Sequence, residues 1–265
     1  MNNTGIKQEG GLRVKGTVKH FESGRPLVSV VTVIFNDAAK VEDVIKNVTS
    51  QSYLNLEYII IDGGSSDGTL DIIKMHEDKI DYWISEKDHG IYDAMNKGVG
   101  LATGDWVNFM NAGDSFYRLT TVADVVIAIP PSADLVYGHT YYKEKEQMTL
   151  IETYDLQSLW MSMICSHQSI FVRKRLLREH PFDIGYKISS DFEFIYYCYV
   201  NGYKFIDTKI IIAVHSVDGV SEQNIISRML ERWRIVNRYT PTFKVNVFYF
   251  KLLFRKIIRV WGKGL

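Results

Sequence analysis

Short apolar runs alternating with amphipathic stretches organise the first half of the chain. Residues 28–35 are rich in β-branched side chains and show no polar alternation, the pattern of a strand buried on both faces. Asn36-Asp37 follows, and Val41, Val44, Ile45 and Val48 then recur at helical spacing up to about Ser50. Glu57 to Ile61 predicts a second buried strand, which runs into a polar loop from Asp62 to Gly68. Leu70, Ile72, Ile73 and Met75 mark the next helix. Asp81 to Ser85 predicts a third strand, Ile91 to Leu101 a helix, and Asp105 to Met110 a fourth strand ending on Asn111-Ala112-Gly113-Asp114. This β-α-β-α-β-α-β order predicts an α/β domain: a parallel sheet with right-handed crossovers and helices on both faces.

The second half is more mixed. Ala133 to Tyr142 and Gln168 to Val172 read as strands, Ser190 to Val200 as a buried aromatic-rich helix, and Tyr203 to Val214 as a closing strand pair. Two helices, over 223–240 and 242–261, complete the chain, with Pro241 suited to the first position of the second. No repeat, low-complexity stretch or linker interrupts it. The expected organisation is a polar lead-in over 1–26, one domain over 27–222 with halves at 27–115 and 116–222, and a helical tail over 223–265.

The 265 residues are long enough for a sizeable core, and 46% apolar composition is globular. Lys and Arg total 31, as do Asp and Glu, and a zero net charge argues against a nucleic-acid coat. The balance hides an asymmetry. From Arg228 onward there are ten basic residues and one acid, Glu231. Over Thr242 to Trp261 the cations interleave with Phe243, Val247, Phe250, Phe254, Ile257, Ile258 and Trp261, a composition suited to a helix lying on an anionic membrane. Cys165 and Cys198 are too few for a disulfide scaffold and point to a reducing compartment. No secretory h-region and no run of 18 apolar residues is present. The expected location is the cytoplasm, with the tail on the inner face of the plasma membrane.

In an open parallel sheet, ligands bind at the carboxyl ends of the strands. Four such ends are polar here: Asn36-Asp37, Asp62 to Asp67, Glu86 to Gly90, and Asn111 to Asp114. Neither a dinucleotide fingerprint nor a P-loop is present. The strings around Val30 to Asp37, Ile59 to Thr69 and Gly90 to Asp114 together resemble the family 2 glycosyltransferases, over roughly Pro26 to Val220. The subtype is similar to bacterial colanic-acid and surface-polysaccharide transferases. The resemblance implies the GT-A fold and inverting transfer from a nucleotide-sugar, with a UDP-sugar favoured, to a glycan or lipid-linked glycan acceptor.

It also implies roles for individual residues. Asp62 lies where the family's first acid bonds the nucleotide base, with Thr32, Phe35 and Asn36 framing base and ribose. Gly64, Ser65, Asp88, Gly90, Asp93, Asn96, Asn111 and Ala112 complete the expected nucleotide-sugar wall. Against the family's D-x-D-D, this chain reads Asn111-Ala112-Gly113-Asp114. Asp114 is therefore the expected anchor for Mn²⁺ or Mg²⁺, with metal-independent turnover as the alternative. Asp191 resembles the catalytic base. Glu193 is its rival, but two residues along a helix it points elsewhere. His167, Gln168 and His215 are expected beside the acceptor or the pyrophosphate, with Asp218 to Ser221 forming a loop over the nucleotide. A nucleotidyltransferase would want a basic, Gly-rich loop after the first strand, and Phe35 to Ala39 has none. A non-catalytic sugar-nucleotide or glycan-binding relic of the same fold is the remaining alternative.

Overall fold

The computed structural model describes residues 7–20, 24–216 and 224–261. Its centre is a sheet of ten strands in the order β1-β4-β3-β2-β5-β9-β7-β10-β6, with β8 paired to β7. The strands are β1 (Gln8–Gly10), β2 (Val28–Ile34), β3 (Leu56–Asp62), β4 (Tyr82–Ser85), β5 (Trp106–Phe109), β6 (Ser115–Phe116), β7 (Leu135–Glu144), β8 (Gln147–Ile151), β9 (Ile170–Arg173) and β10 (Phe205–Ser216). The helices are α1 (Ala38–Thr49), α2 (Thr69–Met75), α3 (Ile91–Leu101), α4 (Thr121–Ala128), α5 (Lys174–Glu179), α6 (Ser190–Val200), α7 (Ile225–Tyr239) and α8 (Phe243–Trp261).

Strands β4, β3, β2 and β5 run parallel, as the apolar runs require. Every residue of β2 and β3 is buried. Side chains of β2 alternate between two cores. Val28, Val30 and Ile34 pack with α1, α2 and α4, while Val31 and Val33 pack with α3, α5 and α6. The sheet is thus the middle of three layers. Gly98 of α3 lies so near β2 that a Cβ there would sit 2.5 Å from Val31 Cγ1. Glycine is what lets this helix approach the strand.

The structure differs from the sequence reading in several places. Residues 8–10, expected as lead-in, form an edge strand antiparallel to β4. The expected strand pair over 203–214 is one long strand, β10, with register shifts between Asp207 and Ala213 and a left-handed residue, Lys209 (φ 58°). Its parallel partner β7 and antiparallel partner β6 hold it in the sheet. Gln168 falls in a short 3-10 turn, His167–Ser169, ahead of β9. Pro241 precedes α8 by two residues. Two arginines of the expected tail, Arg228 and Arg232, line a cleft of the domain. The expected loop Asp218 to Ser221 lies outside the described residues, as do the side chains of Ile257, Ile258 and Trp261.

Candidate active site

The polar ends of β2, β3, β4 and β5 share the carboxyl edge of the sheet. Two of the loops are stitched together by their own side chains. Asn36, left-handed at φ 49°, donates its N–H to Ser65 Oγ at 2.7 Å, and its Oδ1 accepts from Ser66 N at 2.8 Å. Asp37 N–H donates to Thr69 Oγ1 (3.0 Å) and Ala38 N–H to Asp67 Oδ2 (3.0 Å). Gly64 takes φ 83° within this loop.

Asp62 is fully buried. Its carboxylate accepts from Ser65 N, from Ser65 Oγ at 2.5 Å and from Ser85 Oγ at 2.5 Å. Its oxygens therefore shape the loop instead of facing open solvent, unlike the expected contact to a base. The exposed groups nearby are different. Phe35 is 62% exposed, and its ring and Asp88 Oδ2 would lie 3.3 and 2.5 Å from a Cβ on Gly63. Asp88 Oδ1 also accepts from Gly90 N at 2.9 Å, at the start of α3.

Three more expected donor contacts stand elsewhere. Thr32 lies on the same face of β2 as Val30 and Ile34, fully buried, and its hydroxyl donates to Met110 O at 2.6 Å. Asn96 latches Phe182, donating to its carbonyl at 2.8 Å and accepting from its N–H at 2.9 Å. Asp93 accepts from His89 N and pairs with Lys97.

The remaining residues converge on a cleft of about 490 Å³. Asn111 to Asp114 form one wall. Gly113 (φ 87°) turns the chain there, and Asp114 N–H closes the turn on Asn111 O at 3.1 Å. The Asp114 carboxylate is gripped from both sides, by His215 Nδ1 at 2.8 Å and Gln168 Nε2 at 2.6 Å. Asn111 Oδ1 is bonded to Val33 N (3.4 Å) and its amide faces His167 Nε2 (3.3 Å).

Opposite stands Asp191, in the first turn of α6. Tyr92 of α3 donates to its Oδ1 at 3.0 Å, and His167 Nδ1 lies 3.7 Å from its Oδ2. Burial holds the Tyr92 hydroxyl well above its usual pKa, so it remains a donor. Burial also pulls His167 below its ordinary value, against the attraction of Asp191 and Asp114. The imidazole is thus neutral near pH 7, which makes it a hydrogen-bonding group and not an ion-pair partner. Glu193 points away from the cleft, fully buried, with His180 Nε2 at 3.0 Å and the Tyr239 hydroxyl as partners.

Some cleft residues had not been singled out for the site from sequence. Lys40, Tyr142, Met163, Lys187, Ile188, Arg228 and Arg232 line it, with Cys165. Burial pushes the Cys165 thiol well up, so it is not a nucleophile. Among the described residues, no set of three or more His, Cys, Asp or Glu side chains is arranged to hold a metal ion. Asp114 and His215 do offer a carboxylate oxygen and an imidazole nitrogen side by side. That donor set fits a divalent cation whose other ligands are phosphate oxygens and water.

The family model for glycosyl transferase family 2 matches residues 29–188. A PGL/p-HBAD biosynthesis glycosyltransferase of Mycobacterium tuberculosis (strain ATCC 25177 / H37Ra) is 33% identical over 183 residues, covering 66% of this chain and 71% of that protein. Glycosyltransferase AglE of Haloferax volcanii is 25% identical over 166 residues, covering 58% and 55%. Among solved structures, TarS 1–349 of S. aureus in complex with UDP superposes with a TM-score of 0.64 at 16% identity, covering 80% of this chain and 66% of that one. Mannosyltransferase PcManGT from Pyrobaculum calidifontis, in complex with GDP-Man and Mn²⁺, has a TM-score of 0.64 at 19% identity, covering 81% and 65%. These two likenesses concern the fold.

Proposed function

This chain belongs to glycosyl transferase family 2, and from that premise we propose that it moves one sugar, with inversion, from a UDP-linked donor to a hydroxyl of a lipid-linked surface glycan. The family and its named transferase relatives support an enzyme over a non-catalytic relic. The observation that carries the mechanism is a carboxylate, Asp191, fixed by Tyr92 across one cleft from Asp114 and its two partners.

In this mechanism the acceptor oxygen attacks the anomeric carbon and the bond to the nucleoside diphosphate breaks. Tyr92 occupies Asp191 Oδ1, which leaves Oδ2 to take the acceptor proton. Phe35, Gly63, Gly64, Asp88 and Gly90 frame the nucleoside, with Asp62 and Ser65 bracing the loop beneath it. Asn111 and Ala112 border the donor sugar. His215 and Gln168 hold the Asp114 carboxylate beside the diphosphate. Mn²⁺ or Mg²⁺ would be held by Asp114 with His215, and would stabilise negative charge on the departing diphosphate.

Donor and metal are read together by thermal unfolding with UDP, GDP, TDP or CMP, each with and without Mn²⁺. A nucleotide at ~100 times its dissociation constant adds about 2.7 kcal/mol of stability. The expected result is a shift with UDP that grows with Mn²⁺. A shift indifferent to Mn²⁺ removes the metal from the reading, and no shift with any nucleotide removes the donor site.

The acceptor side extends to a membrane. On α8, Val245, Tyr249 and Leu253 are buried against the domain, while Phe243, Phe250 and Phe254 are exposed, with Lys251 and Arg255 exposed beside them. Among the described residues no helix is long and apolar enough to cross a membrane. The outward face of α8 fits the surface of an anionic bilayer, each cation contributing roughly 1 kcal/mol there. Cosedimentation with phosphatidylglycerol-containing vesicles should fall roughly thirtyfold in a Lys251→Ala/Arg255→Ala double variant. Equal sedimentation with purely zwitterionic vesicles would remove the anionic surface from the reading, and sedimentation with neither would remove the membrane.

A further inference from the structure

Part of the cleft's lining comes from α7. Arg228 and Arg232 stand one helical turn apart on it and face the same space as Asp191. Lys187 lines the cleft as well. Three cationic side chains therefore line the same cleft as this carboxylate, and Tyr92 already takes one of its oxygens.

Arg232 is the unusual member. Its guanidinium carbon lies 5.0 Å over the Phe192 ring, next in sequence to Asp191. Its Nε–H is shut off from solvent and has no hydrogen-bond partner. A buried donor left unbonded costs stability, and Arg232 lines the cleft, where an anion drawn to its guanidinium would offset that cost. Its charge interacts with those of Asp191 and Arg228.

The helix that carries the pair is held rigidly. Glu231 accepts from the backbone of Lys187 at 2.8 Å and of Ile188 at 3.0 Å, tying α7 to the segment before α6. Trp233 donates to Asn246 of α8 at 2.9 Å and stacks on Tyr249 with an interplanar angle of 4°. The Tyr239 hydroxyl bonds Glu193 of α6. The backbone that carries the two arginines is thus anchored to its neighbours, which suits forked recognition of a phosphate or carboxylate.

We propose that Arg228 and Arg232 form an acceptor subsite for an anionic group, so that the acceptor carries a phosphate or a carboxylate close to the hydroxyl that Asp191 deprotonates. This rests on the transferase mechanism above, in which the diphosphate of the donor lies at Asp114 and the acceptor at Asp191. The subsite selects acceptors by charge, and the same chemistry serves a lipid phosphate or a uronic acid in the glycan.

The test is calorimetric titration of the full chain with four probes: farnesyl phosphate, farnesol, methyl β-glucuronide and methyl β-glucoside. One anionic probe should bind at least about tenfold tighter than its neutral counterpart, and which one does so identifies the source of the charge. Arg232→Gln and, as a second variant on the same face, Arg228→Gln should each weaken that probe about tenfold to a hundredfold. Both should leave UDP binding within about threefold. Asp191→Asn should tighten the anion, because a repelling charge is removed. Equal binding of charged and neutral probes, or binding of neither anion, overturns the subsite. Loss of UDP binding in both arginine variants, with anion binding intact, assigns the pair to the donor diphosphate instead. A wild-type chain that binds no nucleotide would defeat the underlying mechanism, and not this subsite alone.

Discussion

Replacement of Asp191 by Asn is expected to lower turnover by roughly 10²–10⁴-fold, the usual contribution of a positioned general base, while nucleotide binding stays unchanged. Asparagine keeps the shape of the side chain and still offers an oxygen to the Tyr92 hydroxyl, which lies 3.0 Å from Oδ1 in the wild type. What it lacks is an oxygen that can accept the proton of the acceptor hydroxyl. Asp114, with His215 and Gln168, stands on the other wall and should keep its own contacts. The measurement is release of nucleoside diphosphate from the donor with a membrane glycolipid fraction as acceptor, beside calorimetric titration of the nucleotide. Turnover within threefold of wild type would move the base to another residue. Joint loss of turnover and nucleotide binding would make Asp191 part of the donor site.

The parallel half was legible because burial on both faces leaves a signal that needs no partner. All seven residues of β2 are buried, and so are all seven of β3. Helices α3 and α6 begin and end where the apolar spacing does. The elements that escaped detection owe their existence to neighbours. Strand β1 is three residues of mixed polarity that become a strand only by pairing with Trp83 to Ser85. Strand β8 is exposed over four of its five residues and hangs on β7. Tyr203 to Val214 read as a strand pair, but pairing with β7 on both sides of the shift after Asp207 carries the chain through as one strand with a bulge. The site shows the same division. The resemblance singled out Asp114, Asp191, His167, Gln168 and His215, and these share one cleft. It also singled out Thr32 and Asn96, whose hydrogen bonds hold the fold. Arg228 and Arg232 read as part of a basic tail, because no spacing along the chain says that α7 folds back over α6.

The N-terminal segment supplies the second large effect. Glu57, near the amino end of β3, is 2% exposed. Its carboxylate accepts from Ser29 Oγ at 2.5 Å, Thr103 N at 2.8 Å and Thr103 Oγ1 at 2.6 Å. Arg13 completes the set with a charge-assisted bond, and its other nitrogen donates to Leu101 O at 2.8 Å. One side chain therefore joins the segment after β1, strands β2 and β3, and the turn from α3 into β5. Glu57→Ala removes the charge that pairs Arg13 and leaves the Thr103 N–H without its acceptor. Breaking a buried pair in this way costs about 3–5 kcal/mol, which in a chain of this size lowers the melting temperature by on the order of 10 °C. Arg13→Ala should cost less, because three donors to the carboxylate remain. Glu57→Gln should fall between the two, keeping part of the hydrogen bonding without the charge. Urea and thermal unfolding of the three variants test the order. Glu57 sits ~17 Å along β3 from Asp62, at the opposite edge of the sheet from the cleft, so UDP binding by folded variants should match wild type. A Glu57→Ala chain within about 1 kcal/mol of wild type would mean that the clamp is locally redundant and that the N-terminal segment contributes little to the stability of the sheet.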